Sequence, residues 1–461
     1  MNREHRFVLA VAILASFVAF LDGSVITVAL PAISSELGGG LSTQQWVVDA
    51  YLITLGALIL LAGSLSDVFG RIVILRIGLV GFGVASLLIA VAPTAELLIV
   101  LRGAQGVAGA LLVPSSLALI MSTFRGTAQA HAIGQWTAWT SAAFLVGPVL
   151  GGVFVDLLSW RLVFAINILP IAATLWLLVL LGHKEERTKD KRIDFLGAGL
   201  GVIGLGGPVF ALIEQANYGW GSPLVSIPLI VGIVSLVVFL WWQRRTPQPM
   251  LPLALFRERN FSMGNIATLF IYGALSLGGF IVVVYLQEVA EYTATFAALA
   301  FLPASLGIIL LSSFFGRLSG KFGPRLFMTV GPSLAGIGYV TFLSIQETVN
   351  YFTQVLPGVL LFSLGLSMTV APLTSAILGA ISASQAGIGS AVNNAISRIA
   401  GLVAIALIGV ITIGPLDPTN FHRVVLLTAV LLFAGAIVSF VGIRNPAAVE
   451  PETSEPAAPN A

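Results

Sequence analysis

The 461-residue chain is 57% hydrophobic and only 9% charged, with a mean hydropathy of +1.01. About a quarter of the residues of a soluble domain are charged, so this composition excludes a soluble globular protein. The net charge of +2 is too small to indicate a nucleic-acid partner. The absence of cysteine excludes disulfides, thiol catalysis and cysteine-ligated metal.

Fourteen apolar segments are long enough to cross a membrane as helices, for which about 20 residues are needed. The first is too long for the apolar core of a signal peptide and lacks a small-residue cleavage site, so we expect it to be retained. The chain is therefore predicted to be an all-α integral membrane protein with 14 transmembrane helices. The segments cover residues 7–33, 44–66, 73–93, 96–122, 131–155, 161–182, 194–214, 224–243, 262–287, 294–316, 326–345, 352–378, 387–413 and 423–443.

Basic residues predict the orientation. With the N-terminus inside, 18 of the 22 Lys and Arg residues fall in loops and tails on the cytoplasmic side, as the positive-inside rule requires. The exceptions are Arg161 and Arg423, on the other side, and Arg102 and Arg398, within segments. Both termini are then cytoplasmic, and the Pro- and Ala-rich tail 444–461 is expected to be disordered.

The chain contains an internal repeat. GSLSDVFGRIVIL, beginning at Gly63, and GRLSGKFGPRLF, beginning at Gly316, share the pattern G-x-L-S-x-x-F-G. Pro114 and Pro372 also match, and the offsets between matching positions are 253 to 258 residues. Such repeats are typical of secondary transporters, so we expect two pseudo-symmetric six-helix bundles. The predicted domains are a first bundle, 1–182, a linker with two additional helices, 183–261, a second bundle, 262–443, and the tail, 444–461.

One acidic residue, Asp22, lies alone within the first apolar segment. An acid at bilayer depth costs about 2.5 kcal/mol or more and usually marks a proton relay, an ion path or a substrate pocket. Asp22 lies about 22 Å from the inner end of its segment and Arg102 about 9 Å inside the outer end of the fourth. In a hydrocarbon core about 30 Å thick these depths nearly coincide.

We therefore expect Asp22 to contact Arg102, with Gln105 one turn away. Movement of Arg102 between two conformations would then switch Asp22 between proton release and proton uptake. The alternative is a permanent salt bridge that only stabilises the bundle.

Five motifs resemble those of a known family. GSLSDVFGR resembles the signature loop of the major facilitator superfamily, and LRGAQGVAGALLVP resembles its fourth-helix motif. LDGSVITVALP and WRLVFAINILP are similar to the first- and sixth-helix motifs of its fourteen-helix drug:proton antiporters, and GPVLGGVFVD resembles the fifth-helix motif of antiporters. The resemblance extends over about residues 7–443.

This resemblance implies the major facilitator fold and a function as a multidrug or antibiotic-resistance antiporter. Such a protein exports an amphipathic small molecule in exchange for protons by alternating access. It implies a monomer in the inner (plasma) membrane of a bacterium, with no catalytic residues, no metal, no nucleic-acid partner and no cofactor besides the proton gradient.

Two of the motifs carry roles in the family. For GSLSDVFGR, the resemblance implies a cytoplasmic gate that stabilises the outward-open state. The glycines of this motif let two helix ends approach closely, and its Asp accepts hydrogen bonds from a helix N-terminus. A solvated turn is the alternative. The gate residues are Gly63, Asp67, Gly70 and Arg71.

The antiporter motif is expected to form a small-residue face that seals the cavity against leak and favours exchange over uniport. Its residues are Gly147, Pro148, Gly151 and Gly152, and Ala143 replaces the leading glycine of the family. Ordinary helix packing is the alternative.

The second half lacks the acid–arginine pair, because Leu360 stands at the position that matches Arg102. A single buried acid predicts one proton per cycle. Three roles remain open for Arg398: binding an anionic substrate group, pairing with Asp22, or capping the carbonyls of a broken helix.

The candidate cavity residues lie on helices that line the cavity in related transporters, and aromatic side chains suit amphipathic ligands. For each aromatic residue, packing or lipid contact is an equal alternative. The candidates are Gln105, Trp136, Trp139, Asn265, Tyr272, Asn393, Asn394 and Arg398.

Several acids are placed near the outer ends of the predicted helices. Asp49 is expected close to the outer end of the second helix, as part of an external gate. Glu214, Glu288 and Glu291 are expected to be ordinary residues of extracellular helix ends.

Other functions agree less well with the sequence. An ATP-driven pump needs a phosphate loop, but GRLSGKFG has the wrong spacing and Phe322 stands where Ser or Thr is needed. A membrane-embedded enzyme or sensor is a remote alternative, because the four His residues show no HExxH pattern. Among transporters, a proton-coupled importer or a metabolite or lipid transporter of the same fold is the alternative, and only GPVLGG argues against import.

Overall fold

The computed structural model of the chain describes residues 3–181, 193–382, 385–412 and 414–445, and all regular secondary structure in these ranges is helical. Fourteen helices in these ranges are long and apolar enough to cross a membrane, which confirms the predicted fold class. The predicted basic loop residues from 184 to 192 and the tail from 446 onward lie outside the described residues.

The helices are α1 Glu4–Leu37, α2 Gly40–Phe69, α3 Arg71–Ala90, α4 Ala95–Thr123, α5 Gly126–Leu157, α6 Leu162–Leu181, α7 Phe195–Tyr218, α8 Pro223–Arg245, α9 Arg259–Glu288, α10 Ala294–Phe322, α11 Pro324–Ser344, α12 Tyr351–Leu378, α13 Ala386–Ile411 and α14 Pro418–Gly442. We call α1–α6 the first half and α9–α14 the second half. The end of the bundle that holds the N-terminus is the proximal end, and the opposite end is the distal end.

The turn between α1 and α2 shifts the start of α2. Gly38, Gly39 and Gly40 have φ angles of 86°, 83° and 53°, which glycine adopts without strain. Helix α2 therefore begins at Gly40, four residues earlier than the sequence predicted. Asp49 consequently lies about 14 Å inside the helix, from the rise of 1.5 Å per residue.

Proline interrupts two helices near the candidate site. In α1, the α-helical part ends at Val25 and gives way to a 3₁₀ turn at Ile26–Ala29, because Pro31 has no N–H to donate to the carbonyl of Thr27. In α4 the helix breaks after Ala110, whose carbonyl would need the N–H that Pro114 lacks. These breaks lie within about two turns of Asp22 and Arg102.

The two halves share one hydrophobic core at the distal end. This core joins Ile26 of α1, Leu98 of α4 and Phe164 of α6 to Leu277 and Phe280 of α9. The proximal part of the first half has a separate core of its own, formed by residues such as Val8, Leu75, Ile120 and Leu178. The bundle is therefore closed between the halves at its distal end.

Between the halves, α2 packs on α13 and α5 packs on α10. The additional helices α7 and α8 pack tightly on each other, and a Cβ added at Gly207 would lie 2.2 Å from the carbonyl oxygen of Pro228. Helix α7 also packs on both α2 and α13. It therefore covers the seam where α2 of the first half meets α13 of the second.

Candidate functional site

Asp22 and Arg102 form a buried ion pair. Arg102 Nη1 donates to Asp22 Oδ2 over 2.7 Å, and the exposed fraction of each side chain is 1%. Gln105 Nε2 and Asn167 Nδ2 each donate to Asp22 Oδ1 over 3.0 Å. Arg102 Nε also donates to the carbonyl of Val47 over 2.9 Å. The expected contact is thus present, and three donors compensate the buried carboxylate.

The cluster extends beyond the ion pair. Arg102 Nη1 also donates to Gln105 Oε1 over 2.6 Å, and Gln105 Nε2 donates to Ser86 Oγ over 2.9 Å. The guanidinium carbon of Arg102 lies 4.4 Å from the ring centroid of Tyr51, within cation–π range. Sequence reasoning assigned no role to Asn167 or Ser86. A single amide in the apolar run WRLVFAINILP was the available signal for Asn167.

The second half holds a smaller cluster of amides. Asn393 Nδ2 donates to Asn265 Oδ1 over 3.2 Å and to Thr268 Oγ1 over 2.8 Å. Two of the candidate cavity residues, Asn265 and Asn393, are therefore brought together. Asn394 lies on the same helix as Arg398, four residues before it, and is partly exposed.

Arg398 is partly exposed and forms no hydrogen bond with any residue in the described ranges, and its Nε atom is buried without a partner. Its guanidinium carbon lies 5.8 Å from the ring centroid of Phe20, in the first half. Arg398 does not pair with Asp22 in this conformation, because Asp22 is bound to Arg102. It also caps no backbone carbonyl of the described residues. Within the described ranges, Arg398 is an unpaired cation between the two halves.

The candidate aromatic residues are not gathered at one place. Trp136 lies 6.5 Å from the Phe20 ring and donates from Nε1 to Ser16 Oγ over 3.0 Å, so it belongs to the surroundings of Arg398. Trp139 is 59% exposed. Tyr272 packs on the hydrophobic core that the two halves share.

The gate motif forms the turn between α2 and α3. Gly70 has φ = 99° and ends α2, and Arg71 Nη2 lies 3.8 Å from Asp67 Oδ1. A Cβ added at Gly63 would have no described atom within 4 Å. The close helix approach expected at Gly63 is therefore absent from this conformation, in which the proximal ends of the halves have separate cores.

The antiporter motif packs on both halves. A Cβ added at Gly147 would lie 2.1 Å from Ser24 Oγ, and one at Gly151 would lie 2.6 Å from a methyl group of Val25. A Cβ added at Gly152 would lie 2.6 Å from the Cα of Thr295 in α10. Helix α5 continues through Pro148 without interruption. The glycine face therefore touches α1 just after Asp22 and touches the second half at the distal end.

Polar contacts also join the halves at the distal end. Asp156 accepts hydrogen bonds from the backbone N–H groups of Ala294 and Thr295 over 3.0 and 2.8 Å, at the N-terminus of α10. Gln44 Nε2 donates to Glu288 Oε1 over 2.5 Å. Glu288 thus connects the halves and is more than an ordinary helix-end residue. Asp156 ends the antiporter motif, but no pattern in the sequence assigned it this contact.

Asp49 differs from its expected position. Its exposed fraction is 0%, and it lies well inside α2 because the helix begins early. The expectation of a single buried acid is therefore wrong, since both Asp22 and Asp49 are fully buried.

Known proteins resemble this chain along most of its length. The family model of the Major Facilitator Superfamily matches residues 12–405. The puromycin resistance protein pur8 of Streptomyces alboniger is 34% identical over 420 residues, 88% of this chain and 81% of the relative. The methylenomycin A resistance protein of Bacillus subtilis is 32% identical over 407 residues, 88% of this chain and 87% of the relative.

The multidrug resistance protein Stp of Mycobacterium tuberculosis is 32% identical over 415 residues, 89% of this chain and 76% of the relative. A crystal structure of a POT family transporter in complex with a thioalcohol-conjugated peptide has a TM-score of 0.72 at 14% identity, covering 95% of this chain and 96% of that one. At this identity the likeness concerns the fold alone. The family match and the relatives agree that this chain is a membrane transporter of the Major Facilitator Superfamily.

Proposed function

We propose that this transporter exports amphipathic small molecules, antibiotics among them, in exchange for protons. The observation that carries the proposal is the buried ion pair of Asp22 and Arg102, in which the carboxylate accepts three hydrogen bonds. A buried ionisable group in a membrane bundle is by default a candidate functional site. The resistance proteins named above support export as the direction of transport.

The proposed orientation places the proximal end in the cytoplasm of a bacterium. The basic residues of the proximal loops support it, since Arg71, Arg125, Arg244 and Arg325 all lie at proximal helix ends. The bundle is closed at the distal end, so this conformation opens toward the cytoplasm. It is the conformation in which a substrate would be taken from the cell interior.

Protonation of Asp22 is the proposed coupling step. A proton on the carboxyl group removes its negative charge and releases Arg102, which then keeps only Gln105 and the carbonyl of Val47 as hydrogen-bond partners among the described residues. A buried guanidinium without its counter-ion is costly, so the ionised pair is favoured in this conformation. The proton that Asp22 takes up while the bundle is open to the outside is therefore released to the cytoplasm here, in exchange for substrate.

A packed route leads from Asp22 to the distal closure. Ser24 and Val25 follow Asp22 in α1 and touch Gly147 and Gly151 of α5. Gly152, next along α5, touches α10 of the second half. A shift of α1 when Asp22 gains or loses its proton is thereby transmitted to the contact that closes the distal end.

The proposed substrate site lies between the halves at Arg398. The cation of Arg398, the ring of Phe20 and the indole of Trp136 together offer one charge and two apolar faces. That combination suits a molecule with an aromatic or aliphatic body and an acceptor or anionic group. It remains available because Arg398 has no hydrogen-bond partner among the described residues.

Transport in everted membrane vesicles tests the proposal. A respiration-driven proton gradient should drive accumulation of a fluorescent amphiphile, and added substrate should release protons, without ATP. Asp22→Asn should abolish both while the protein still inserts. Glu96→Gln is the matched control, because Glu96 is an exposed acid at the start of α4. Unimpaired exchange by Asp22→Asn, or accumulation that needs ATP, would overturn the proposal.

A further inference from the structure

Asp49 is a buried acid that the coupling mechanism at Asp22 does not use. Its exposed fraction is 0%, and neither carboxyl oxygen has a hydrogen-bond donor among the residues that the structure describes. This contrasts with Asp22, whose carboxylate has three donors. An ionised carboxylate in such a site is unfavourable, whereas a neutral acid needs an acceptor only for its single hydroxyl.

The neutral acid has such an acceptor within its own helix. A protonated Asp49 can donate to the backbone carbonyl of Gln45, one turn earlier. Hydroxyl side chains elsewhere in this bundle do the same: Thr268 donates to the carbonyl of Gly264 over 2.9 Å and Ser439 to that of Gly435 over 2.8 Å. By the same pattern, the protonated form can satisfy its hydroxyl without a partner from another helix.

The neighbours one turn away on either side of Asp49 define where it lies. Gln45 Nε2 donates to the carbonyl of Ile405 in α13 over 2.6 Å. Ile53 packs with Val209 of α7 and Leu402 of α13 in one apolar cluster. Residues four apart share a helix face, so Asp49 lies in the seam between the halves, under the cover of α7.

The charged groups around this seam are occupied or distant. On α7, Glu214 accepts a hydrogen bond from Trp46 Nε1 over 2.7 Å. On α4, Arg102 is paired with Asp22. On α13, the Cβ of Arg398 faces Gly56, two turns along α2 from Asp49, about 10 Å by helical rise. Within the described ranges, none of these forms a salt bridge with Asp49.

We propose that Asp49 is a second proton-binding site and that the distal seam between α2, α7 and α13 closes only when Asp49 is protonated. When the seam opens, Asp49 meets external water and releases its proton. When the seam closes, a proton from the outside must first neutralise the carboxylate. This inference rests on the proposed alternating access and gives the additional helix α7 a role: it completes the apolar cover over Asp49.

The sign of the pH dependence separates Asp49 from the other acids at the distal end. Asp156 accepts two backbone hydrogen bonds in the closed conformation, and Glu288 accepts one from Gln44. Because the ionised forms of Asp156 and Glu288 favour closure, a rising external pH that ionises these two acids would close the seam. Through Asp49 a rising external pH opens it, because the open state binds one proton fewer.

Cysteine labelling tests this directly, because the chain contains no cysteine. Ala406→Cys places a thiol in the closed seam, where Ala406 is fully buried, and Leu402→Cys is a second reporter. The rate of labelling by a membrane-impermeant maleimide is measured in intact cells over a range of external pH. The labelling rate of the reporter is divided by the rate for Gly221→Cys, at the exposed turn between α7 and α8. This normalisation removes the effect of pH on thiol ionisation.

The normalised rate should rise with external pH by up to about tenfold per pH unit, the limit for one proton. In an Asp22→Asn background, which removes the contribution of the coupling site, Asp49→Asn should make the rate low and independent of pH, while Glu214→Gln at the same seam should keep the dependence. A normalised rate that does not rise, or a rise that persists when Asp49→Asn is added in this background, would overturn the proposal.

The test is separate from that of the coupling site. Asp22→Asn should lose exchange but keep the pH dependence of labelling. If Asp22→Asn exchanges normally and the labelling result holds, the coupling role of Asp22 fails and that of Asp49 stands. If exchange fails as expected but labelling does not depend on Asp49, only the second site is refuted.

Discussion

The 2.7 Å hydrogen bond from Arg102 Nη1 to Asp22 Oδ2 joins the only two ionisable side chains of the described first half that are buried and paired with each other. Arg398, by contrast, has no hydrogen-bond partner among described residues, and from this difference we infer different roles for the two arginines. Arg102 compensates a charge that belongs to the protein. Arg398 is available to a charge or dipole that the protein does not supply.

Removing Arg102 should destabilise the protein strongly. Arg102→Leu leaves the Asp22 carboxylate buried without its counter-ion, which costs about 3–5 kcal/mol. The thermal unfolding temperature of the purified protein in detergent measures the effect. The double variant with Asp22→Asn should recover much of the loss, because no charge is then left unpaired. Equal losses in the single and double variants would contradict the ion-pair explanation.

Replacing Arg398 should affect substrates and spare stability. Arg398→Gln removes a cation that no described residue compensates, so the unfolding temperature should stay unchanged or rise. The apparent affinity for substrates with an acidic group should fall about tenfold, which corresponds to about 1.4 kcal/mol. Neutral analogues of the same substrates are the control. A variant that loses stability as Arg102→Leu does would show that Arg398 has a structural partner.

Asn167 should stabilise the buried carboxylate of Asp22. Its Nδ2 atom donates to Asp22 Oδ1 over 3.0 Å, and a hydrogen bond to a charged group contributes about 1.5–3 kcal/mol. Asn167→Leu removes one of the three donors to the ionised carboxylate, so the unfolding temperature of the purified protein should fall, and adding Asp22→Asn should recover part of the loss. Asn393→Leu is the matched control, since Asn393 donates to Asn265 and Thr268 and not to a carboxylate. An equal recovery when Asp22→Asn is added to Asn393→Leu would refute the role of Asn167.

A larger residue at Gly152 should open the distal end. The added Cβ of Gly152→Ala would lie 2.6 Å from the Cα of Thr295, and overpacking of this kind costs about 1–3 kcal/mol. Labelling of Ala406→Cys from outside should therefore increase. Gly134→Ala in the same helix is the control, because its Cβ would have no described atom within 4 Å. The interpretation fails if both variants label alike.

The contact most accessible from sequence was that of Asp22 with Arg102. Both residues are isolated charges in apolar segments, and the rise per residue of a helix sets their depth. Asn167 and Ser86 complete the cluster, but a single amide or hydroxyl carries too little cost in the membrane to identify its partner. The expected close approach at Gly63 is absent because it depends on the conformational state, which a single sequence does not specify.

By itself, the sequence determined the fourteen spans, the internal repeat and the isolated acid of α1. These follow from local properties, because about 20 consecutive apolar residues must cross the membrane whatever their neighbours are. The tertiary structure decided which charges of the described chain are compensated: that Asp22 has three donors, that Arg398 has no hydrogen-bond partner, and that Asp49 is fully buried without a donor among described residues. Compensation depends on side chains from helices far apart in the chain meeting at one depth and on one face, and packing alone brings them together.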